Sequence, residues 1–381
     1  MTMNRDMELY IHVPFCVRKC AYCDFLSFSR EPEVRSAYVK RLTEDIAAFG
    51  ERFRDREITS LFVGGGTPSI LSPRELEKII GRTFECFSFS KDSEITVEAN
   101  PGTLNADKLS ALFSAGANRL SLGLQSADEK ELKMLGRIHS YESFLEEYAL
   151  SRKVGFSNIN VDLISALPGQ SPDSFAETLH KVLALSPEHL SVYSLITEEG
   201  TPFAGGLDAL GRPLPPYPTE EEVEEMDEIT ESLLPSCGYN RYEISNYGLP
   251  GRECRHNIGY WTGVSYLGIG LGAASYFDRG RYKVTESLGD YLKGEGEPEL
   301  TEVIGVKEAM EEFMILGLRM IRGVSVSEFK KRFQCDIETV YGEVIERLTT
   351  GGLLLRDSDR IALSPRGLRL ANPVMAEFLT D

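Results

Sequence analysis

Over residues 7 to about 196, short β-rich runs alternate with longer amphipathic segments six times, and this alternation constrains the fold more than any other feature of the chain. The runs cover residues 8–13, 60–63, 94–99, 119–124, 158–164 and 189–195. Between them, residues 33–49, 73–84, 106–115, 140–154 and 172–185 repeat apolar side chains at helical spacing. Parallel strands need long crossovers and helices supply them, so the pattern predicts an α/β fold with a parallel sheet. Six units fall short of a closed eight-stranded barrel, and the expected architecture is a partial (β/α)6 TIM-like barrel. Gly, Pro, Asn and polar residues close the runs, as in Gly64-Gly65-Gly66-Thr67-Pro68, Asn100-Pro101-Gly102 and Leu167-Pro168-Gly169. In such folds that edge of the sheet holds ligands.

Further along, residues 201–218 are rich in Gly and Pro and read as a long connection. The acidic run at 219–231 reads as a solvated helix face with Met226, Ile229 and Leu233 turned inward. Residues 239–276, rich in Gly and Tyr, look β-like. From about 302, helical stretches at 303–320, 326–333 and 337–348 lead through Gly351-Gly352 to a hairpin-like 353–363, a winged-helix-like pattern. The expected organisation is a core partial barrel at 1–200, a barrel-completing and linker region at 201–300, and a smaller α+β module at 301–381.

Charge and hydropathy exclude several classes of partner. The net charge is −18, and residues 325–381 carry eight Lys/Arg against nine Asp/Glu, which disfavours a grip on nucleic acid. A structural or docking role for the C-terminal module is therefore expected. No apolar run approaches the ~20 residues that span a bilayer, and no signal-peptide core is present. The expectation is a cytoplasmic protein with at most peripheral membrane contact, since no basic amphipathic helix announces more.

Three of the seven cysteines, Cys16, Cys20 and Cys23, fall within eight residues, whereas Cys86, Cys237, Cys254 and Cys335 are scattered. Clustered thiols in a reducing compartment point to metal ligation. Spacings of three and then two residues let one loop wrap a cubane, each thiolate binding a different iron and the fourth iron taking no protein ligand. That open iron can chelate the amino and carboxylate groups of S-adenosylmethionine and align its sulfonium for electron transfer. A structural zinc site would need a fourth ligand, for which His12 or Asp24 are the nearby choices. The glycine run after the second strand bares backbone where amides can approach the methionine end of such a nucleotide.

The cysteine loop with this glycine motif resembles the radical-SAM superfamily. The wider text (Tyr-Ile-His-Val-Pro-Phe-Cys, Glu-Ala-Asn-Pro, Leu-Gly-Leu-Gln-Ser and Asp-Leu-Ile-Ser-Ala-Leu-Pro-Gly-Gln) resembles oxygen-independent coproporphyrinogen oxidases and their relatives over nearly the whole chain. The resemblance implies a [4Fe–4S] cluster on the three cysteines and nucleotide contacts from Tyr10, Tyr22, Gly65, Gly66, Thr67, Glu98, Gln125, Arg137, Asp162, Ile196 and Ala274. Of these, Glu98 and Asp162 end strands and could accept from ribose hydroxyls or an ammonium, and Arg137 could pair a carboxylate bidentately.

Two departures separate the chain from the oxidases. Phe25 stands where they carry a further cysteine, and the strand leading to the cluster starts within ten residues of Met1, without their longer N-terminal arm. In their place, Cys254-Arg255-His256-Asn257-Ile258-Gly259-Tyr260-Trp261 contains His-Asn-x-x-Tyr-Trp, similar to the motif of the HemW family, heme chaperones that deliver heme to respiratory enzymes. The resemblance implies heme as a ligand, heme-accepting respiratory proteins as partners and a homodimer favoured by the cluster. A neutral imidazole suits heme iron and aromatic rings can wall a porphyrin, so His256 is the first expected heme contact, with Asn257, Tyr260 and Trp261 beside it. Cys254 is a second conceivable iron ligand, and a packed core is the competing reading of the motif. A radical-SAM oxidase or methyltransferase acting on a tetrapyrrole is the competing function.

Overall fold

A computed structural model describes residues 5–379. Strands β1 (Asp6–Val13), β2 (Glu57–Gly65), β3 (Ser88–Ala99), β4 (Arg119–Gln125), β5 (Ile159–Ser165) and β6 (His189–Ser194) alternate with α1 (Pro32–Arg52), α2 (Pro73–Cys86), α3 (Ala106–Ser114), the short α4 (Glu129–Leu135), α5 (Tyr141–Val154) and α6 (Pro172–Leu183). Local chemistry starts these helices. Ser72, Asn105, Asp128, Ser140 and Ser171 each accept a backbone N–H of the first turn, which satisfies a donor the helix itself cannot.

The six strands lie in sequence order and pair in parallel. One set of side chains, such as Leu120, Leu122, Ile159, Val161 and Leu163, is buried in the main apolar core. The alternate set (Tyr10, Phe62, Glu98, Ser121, Asp162, Ser191) lines a single small cavity of about 210 Å³. Six strands laid flat would span about 24 Å at the usual interstrand spacing, so one small cavity can touch all six only if the sheet curves around it. The parallel sheet is thus a partial barrel with a polar interior.

The middle region extends this sheet on both sides. After α7 (Glu220–Ser236), whose Met226 is buried and whose Ile229 and Leu233 pack on the core, come β7 (Asn240–Arg241) and β8 (Asn246–Gly248), with β8 antiparallel to β6. The segment expected to be β-like then forms a helix, α8 (Arg255–Thr262), before β9 (Tyr266–Ile269) pairs in parallel with β1. β10 (Ala274–Phe277), β11 (Gly280–Lys283) and, past α9 (Leu288–Lys293), β12 (Glu299–Val303) complete a twelve-stranded open sheet.

A second apolar core gathers Met314, Phe329, Tyr341, Ile345 and Phe378. It is built by α10 (Val306–Gly317), β13 (Val324–Ser325), α11 (Val326–Phe333), α12 (Ile337–Thr350), β14 (Leu354–Arg356), β15 (Arg360–Leu363), α13 (Pro365–Arg369) and α14 (Ala371–Ala376). The wing has three strands in the order β13-β15-β14, one more than the hairpin expected. Among the described residues no helix is long and apolar enough to cross a membrane.

Candidate functional site

The cysteine loop leaves the end of β1 and is closed at its base. Cys16 N donates to Phe28 O at 3.0 Å and Phe28 N to Pro14 O at 2.9 Å, while His12 Nε2 lies 3.0 Å from Leu26 O. Farther out, Ala21 N donates to Leu135 O at 3.0 Å and Arg18 Nη2 to Gly136 O at 2.7 Å, fastening the loop to the end of α4. Thr67 Oγ1 donates to Cys16 Sγ at 3.4 Å and Arg137 Nη1 to Cys20 Sγ at 3.6 Å, so both sulfurs accept from the protein around them. Burial pushes the Cys23 thiol up, with Cys20 and Cys16 nearby adding to the effect, so a bound cation would relieve it.

The donor set fits a cubane. Cys16, Cys20 and Cys23 all line one cavity of about 370 Å³, and both ring nitrogens of His12 are engaged, Nδ1 lying 2.9 Å from the Tyr10 hydroxyl. Among the described residues no three His, Cys, Asp or Glu side chains gather closely enough to hold a single ion. Three soft thiol donors on one loop suit a cluster whose irons each take one thiolate.

Cys16, Cys20, Cys23, Tyr22, Gly65, Gly66, Glu98, Gln125, Arg137, Asp162 and Ile196 share this cavity. Thr67 stands behind Cys16. Tyr10 and Ala274 do not line it; Tyr10 borders two neighbouring cavities, and Ala274 lies on the wall of one of them. The amides of the glycine turn are spent inside the protein. Gly65 N donates to Glu98 Oε2 at 3.1 Å, Gly66 N to Val13 O at 2.9 Å and Thr67 N to Phe15 O at 2.7 Å, so the expected amide contact with a nucleotide is revised. The glycines provide space instead: a Cβ on Gly66 would lie 2.7 Å from Phe15 O, and one on Gly65 would overlap the His12 ring. Arg137 also departs from its expected bidentate role, because Nη2 bonds Asn100 Oδ1 at 2.6 Å and the Gly123 carbonyl.

Electrostatics favour a cationic ligand here. Burial, with Asp162 adding, pushes Glu98 up to about 8, and burial also raises Asp162, which accepts from Asn160 Nδ2 at 2.7 Å and Ser121 Oγ at 3.1 Å. Gln125 holds a φ of +73°, a left-handed conformation that a non-glycine residue rarely keeps without a structural reason.

The His-Asn-x-x-Tyr-Trp motif occupies α8. Glu94 of β3 caps the helix from outside, accepting from Arg255 N at 3.2 Å, His256 N at 3.3 Å and Cys254 Sγ at 3.4 Å. The His256 ring stacks on Phe62 with centroids 5.2 Å apart. Its Nδ1 lies 2.7 Å from Ser60 Oγ and its Nε2 2.9 Å from the Tyr260 hydroxyl. Burial pushes its pKa down to about 3, so the imidazole is neutral. Both nitrogens are engaged, and the ring, like Asn257, borders the small barrel cavity. The Cys254 thiol is buried against Glu94. Neither His256 nor Cys254 is open to an iron in this conformation.

Tyr260, which also borders the small barrel cavity, and Trp261 line a cavity of about 890 Å³ between the barrel and the C-terminal module. Its other walls include Phe25 and Leu26 of the cluster loop, Tyr266 and Tyr276, and Phe313, Leu316, Met320, Arg322 and Arg332. The C-terminal contributors carry no motif, and sequence reasoning missed them.

Family comparisons agree with this geometry. The model described as the radical-SAM superfamily matches residues 10–182, and that of the HemN C-terminal domain matches residues 306–370. The chain is 38% identical over 381 residues to the heme chaperone HemW of Lactococcus lactis, covering 100% of this chain and 99% of that relative. It is 34% identical over 380 residues to the heme chaperone HemW of Bacillus subtilis, covering 98% and 99%. In structure it is similar to the coproporphyrinogen III oxidase HemN from Escherichia coli, with a TM-score of 0.84 over 98% of this chain and 90% of that one. At 22% identity this likeness shows a shared fold.

Proposed function

Because the chain belongs to the heme chaperone HemW family, we propose that it is a cytoplasmic heme carrier on a radical-SAM core, delivering heme to respiratory acceptor proteins. Cys16, Cys20 and Cys23 would hold a [4Fe–4S] cluster, with S-adenosylmethionine near Gly65, Glu98, Gln125 and Asp162. When bound, the cluster supplies an open iron for the nucleotide and an electron for its sulfonium. The protein's own part is to hold thiolates through Thr67 and Arg137, to balance positive charge with Glu98 and Asp162, and to shield the site behind Tyr22 and Ile196. A homodimer favoured by the cluster belongs to the same reading.

The observation that supports heme carriage is a second, larger and mostly apolar cavity beside the first. The two adjoin at Phe25, Gly65 and Glu98. Tyr260 and Trp261 would flank the macrocycle, and His256, fixed from below by Ser60, would orient Tyr260. Phe25, 69% exposed, stands at the junction where the oxidases carry a further cysteine. The same adjacency favours a second reading, a radical-SAM enzyme acting on a tetrapyrrole.

Anaerobic reconstitution of the full chain, followed by hemin titration and by incubation with coproporphyrinogen III and S-adenosylmethionine, tests both. A saturable shift in heme absorbance without protoporphyrinogen IX is expected. Trp261→Ala should weaken hemin binding roughly tenfold, the scale of one lost aromatic contact. Turnover of the porphyrinogen would make the second reading correct, and absence of heme binding would remove the first.

A further inference from the structure

Three arginines of the C-terminal module, Arg322, Arg332 and Arg360, line the large cavity. Among the described residues neither Arg322 nor Arg332 forms an ion pair, in a chain with 59 acidic residues against 41 Lys and Arg, whereas the charge of Arg360 acts on the neighbouring Asp359. Arg281 on the barrel side is different, being held by Glu302 at 3.4 Å and by Glu312. Arg332 reaches across the seam between the two cores: a Cβ on Gly263, the residue that ends α8, would lie 3.1 Å from its Nη1. Its guanidinium also sits over Phe333, 5.6 Å from the ring centroid. Arg322 and Arg332 are exposed, so water solvates their charges without a partner. Deeper walls are apolar, with Trp261, Phe313 and Met320 among them.

An apolar interior with a cationic rim matches a flat apolar ring that carries carboxylates on one edge. We propose that Arg322 and Arg332, with Arg360 beside them, clamp the propionate carboxylates of bound heme, so that the C-terminal module sets the orientation of the macrocycle. The proposal rests on the heme-carrying reading and adds a task for a module whose charge argues against nucleic acid. A guanidinium suits it, because its fork meets a carboxylate through two parallel N–H donors and keeps its charge at any working pH. Exposure at the rim keeps the carboxylates near water while the ring enters the cavity, so no charge is buried unpaired.

The test is a four-way hemin titration of the reconstituted full chain. Parent and Arg322→Gln/Arg332→Gln protein are each titrated with hemin and with iron protoporphyrin IX dimethyl ester, whose carboxylates are capped. The parent should bind the ester roughly tenfold to hundredfold more weakly than hemin, the scale of one or two charge-assisted hydrogen bonds. The double variant should lose most of that discrimination while keeping its affinity for the ester, which shows that it is folded. Arg322→Lys/Arg332→Lys should recover only part of it. A double variant that distinguishes hemin from the ester as well as the parent does overturns the clamp and leaves heme carriage standing. A parent that binds neither porphyrin removes heme carriage and the clamp together.

Discussion

The cavity at the cluster loop and the cavity beside the C-terminal module differ in where their walls come from. The first is assembled from the ends of consecutive parallel strands and the loops that leave them, all resting on one core. Its side chains are committed: Arg137, Thr67 and the Gly65 amide each have partners inside the protein. The second joins residues as far apart as Tyr10 and Arg360 and lies between two cores. Its exposed rim arginines, Arg322 and Arg332, form no ion pair among the described residues. A committed site suits a resident cofactor that is seldom exchanged, whereas an uncommitted seam suits cargo that must enter and leave.

The sharpest way to break this contrast is to remove the cluster. Cys20→Ala should abolish the iron–sulfur absorption of reconstituted protein and its binding of S-adenosylmethionine, because a cubane held by three thiolates does not tolerate losing one. Hemin titration of the same variant should match the parent. A collapse of hemin affinity would mean that the two cavities act as one site.

Next in size is a defect aimed at α8, the helix that carries Tyr260 and Trp261 to the large cavity. A Cβ on Gly259 would run into the carboxyl of Glu8 beneath α8. Burial pushes Glu8 up to about 9, so it is protonated and neutral at pH 7, but the steric conflict remains. Gly259→Ala should cost about 1–3 kcal/mol in denaturant unfolding, as overpacking of a tight core does. Hemin affinity should fall as Tyr260 and Trp261 shift, with nucleotide binding less affected. Unchanged stability would show that α8 is not pinned where the structure has it.

The same division decides what could be read from the sequence. The strand expected at 119–124 is Arg119–Gln125, and that expected at 8–13 is Asp6–Val13, because a run buried on a parallel sheet announces itself by composition. Helix starts such as Ser72 and Ser140 carry their caps within three residues. α8 had no such signal. Its cap is Glu94, 160 residues before Cys254, and His256 finds Ser60 across 196 positions, so the Gly- and Tyr-rich text around it looked like strand. The short α4 offers only seven residues of pattern and was also missed. Cysteine spacing points to a cluster loop because its three candidate ligands are neighbours in the chain. The arginine rim is a product of tertiary packing, and no local pattern marks it.

The smallest expected effect concerns proton linkage at Glu98, a carboxyl that both cavities touch. Glu98 has its pKa pushed up from 4.5 to about 8, chiefly by burial and then by Asp162. The folded chain therefore holds a proton on Glu98 that the unfolded chain releases above 4.5. This contribution to stability is fully present below 4.5 and is lost as pH rises through 8. A sulfonium nucleotide prefers the ionised carboxylate, so its binding below pH 8 must expel that proton. Affinity of the reconstituted chain for S-adenosylmethionine should then rise between pH 6.5 and 8, by up to about tenfold per pH unit, and level off above. Calorimetry in buffers of different ionisation enthalpy should record proton release, and Glu98→Gln should flatten the profile. A slope that survives in Glu98→Gln would assign the proton to Asp162, whose pKa burial also raises, and would mean that Glu98 meets the ligand already ionised.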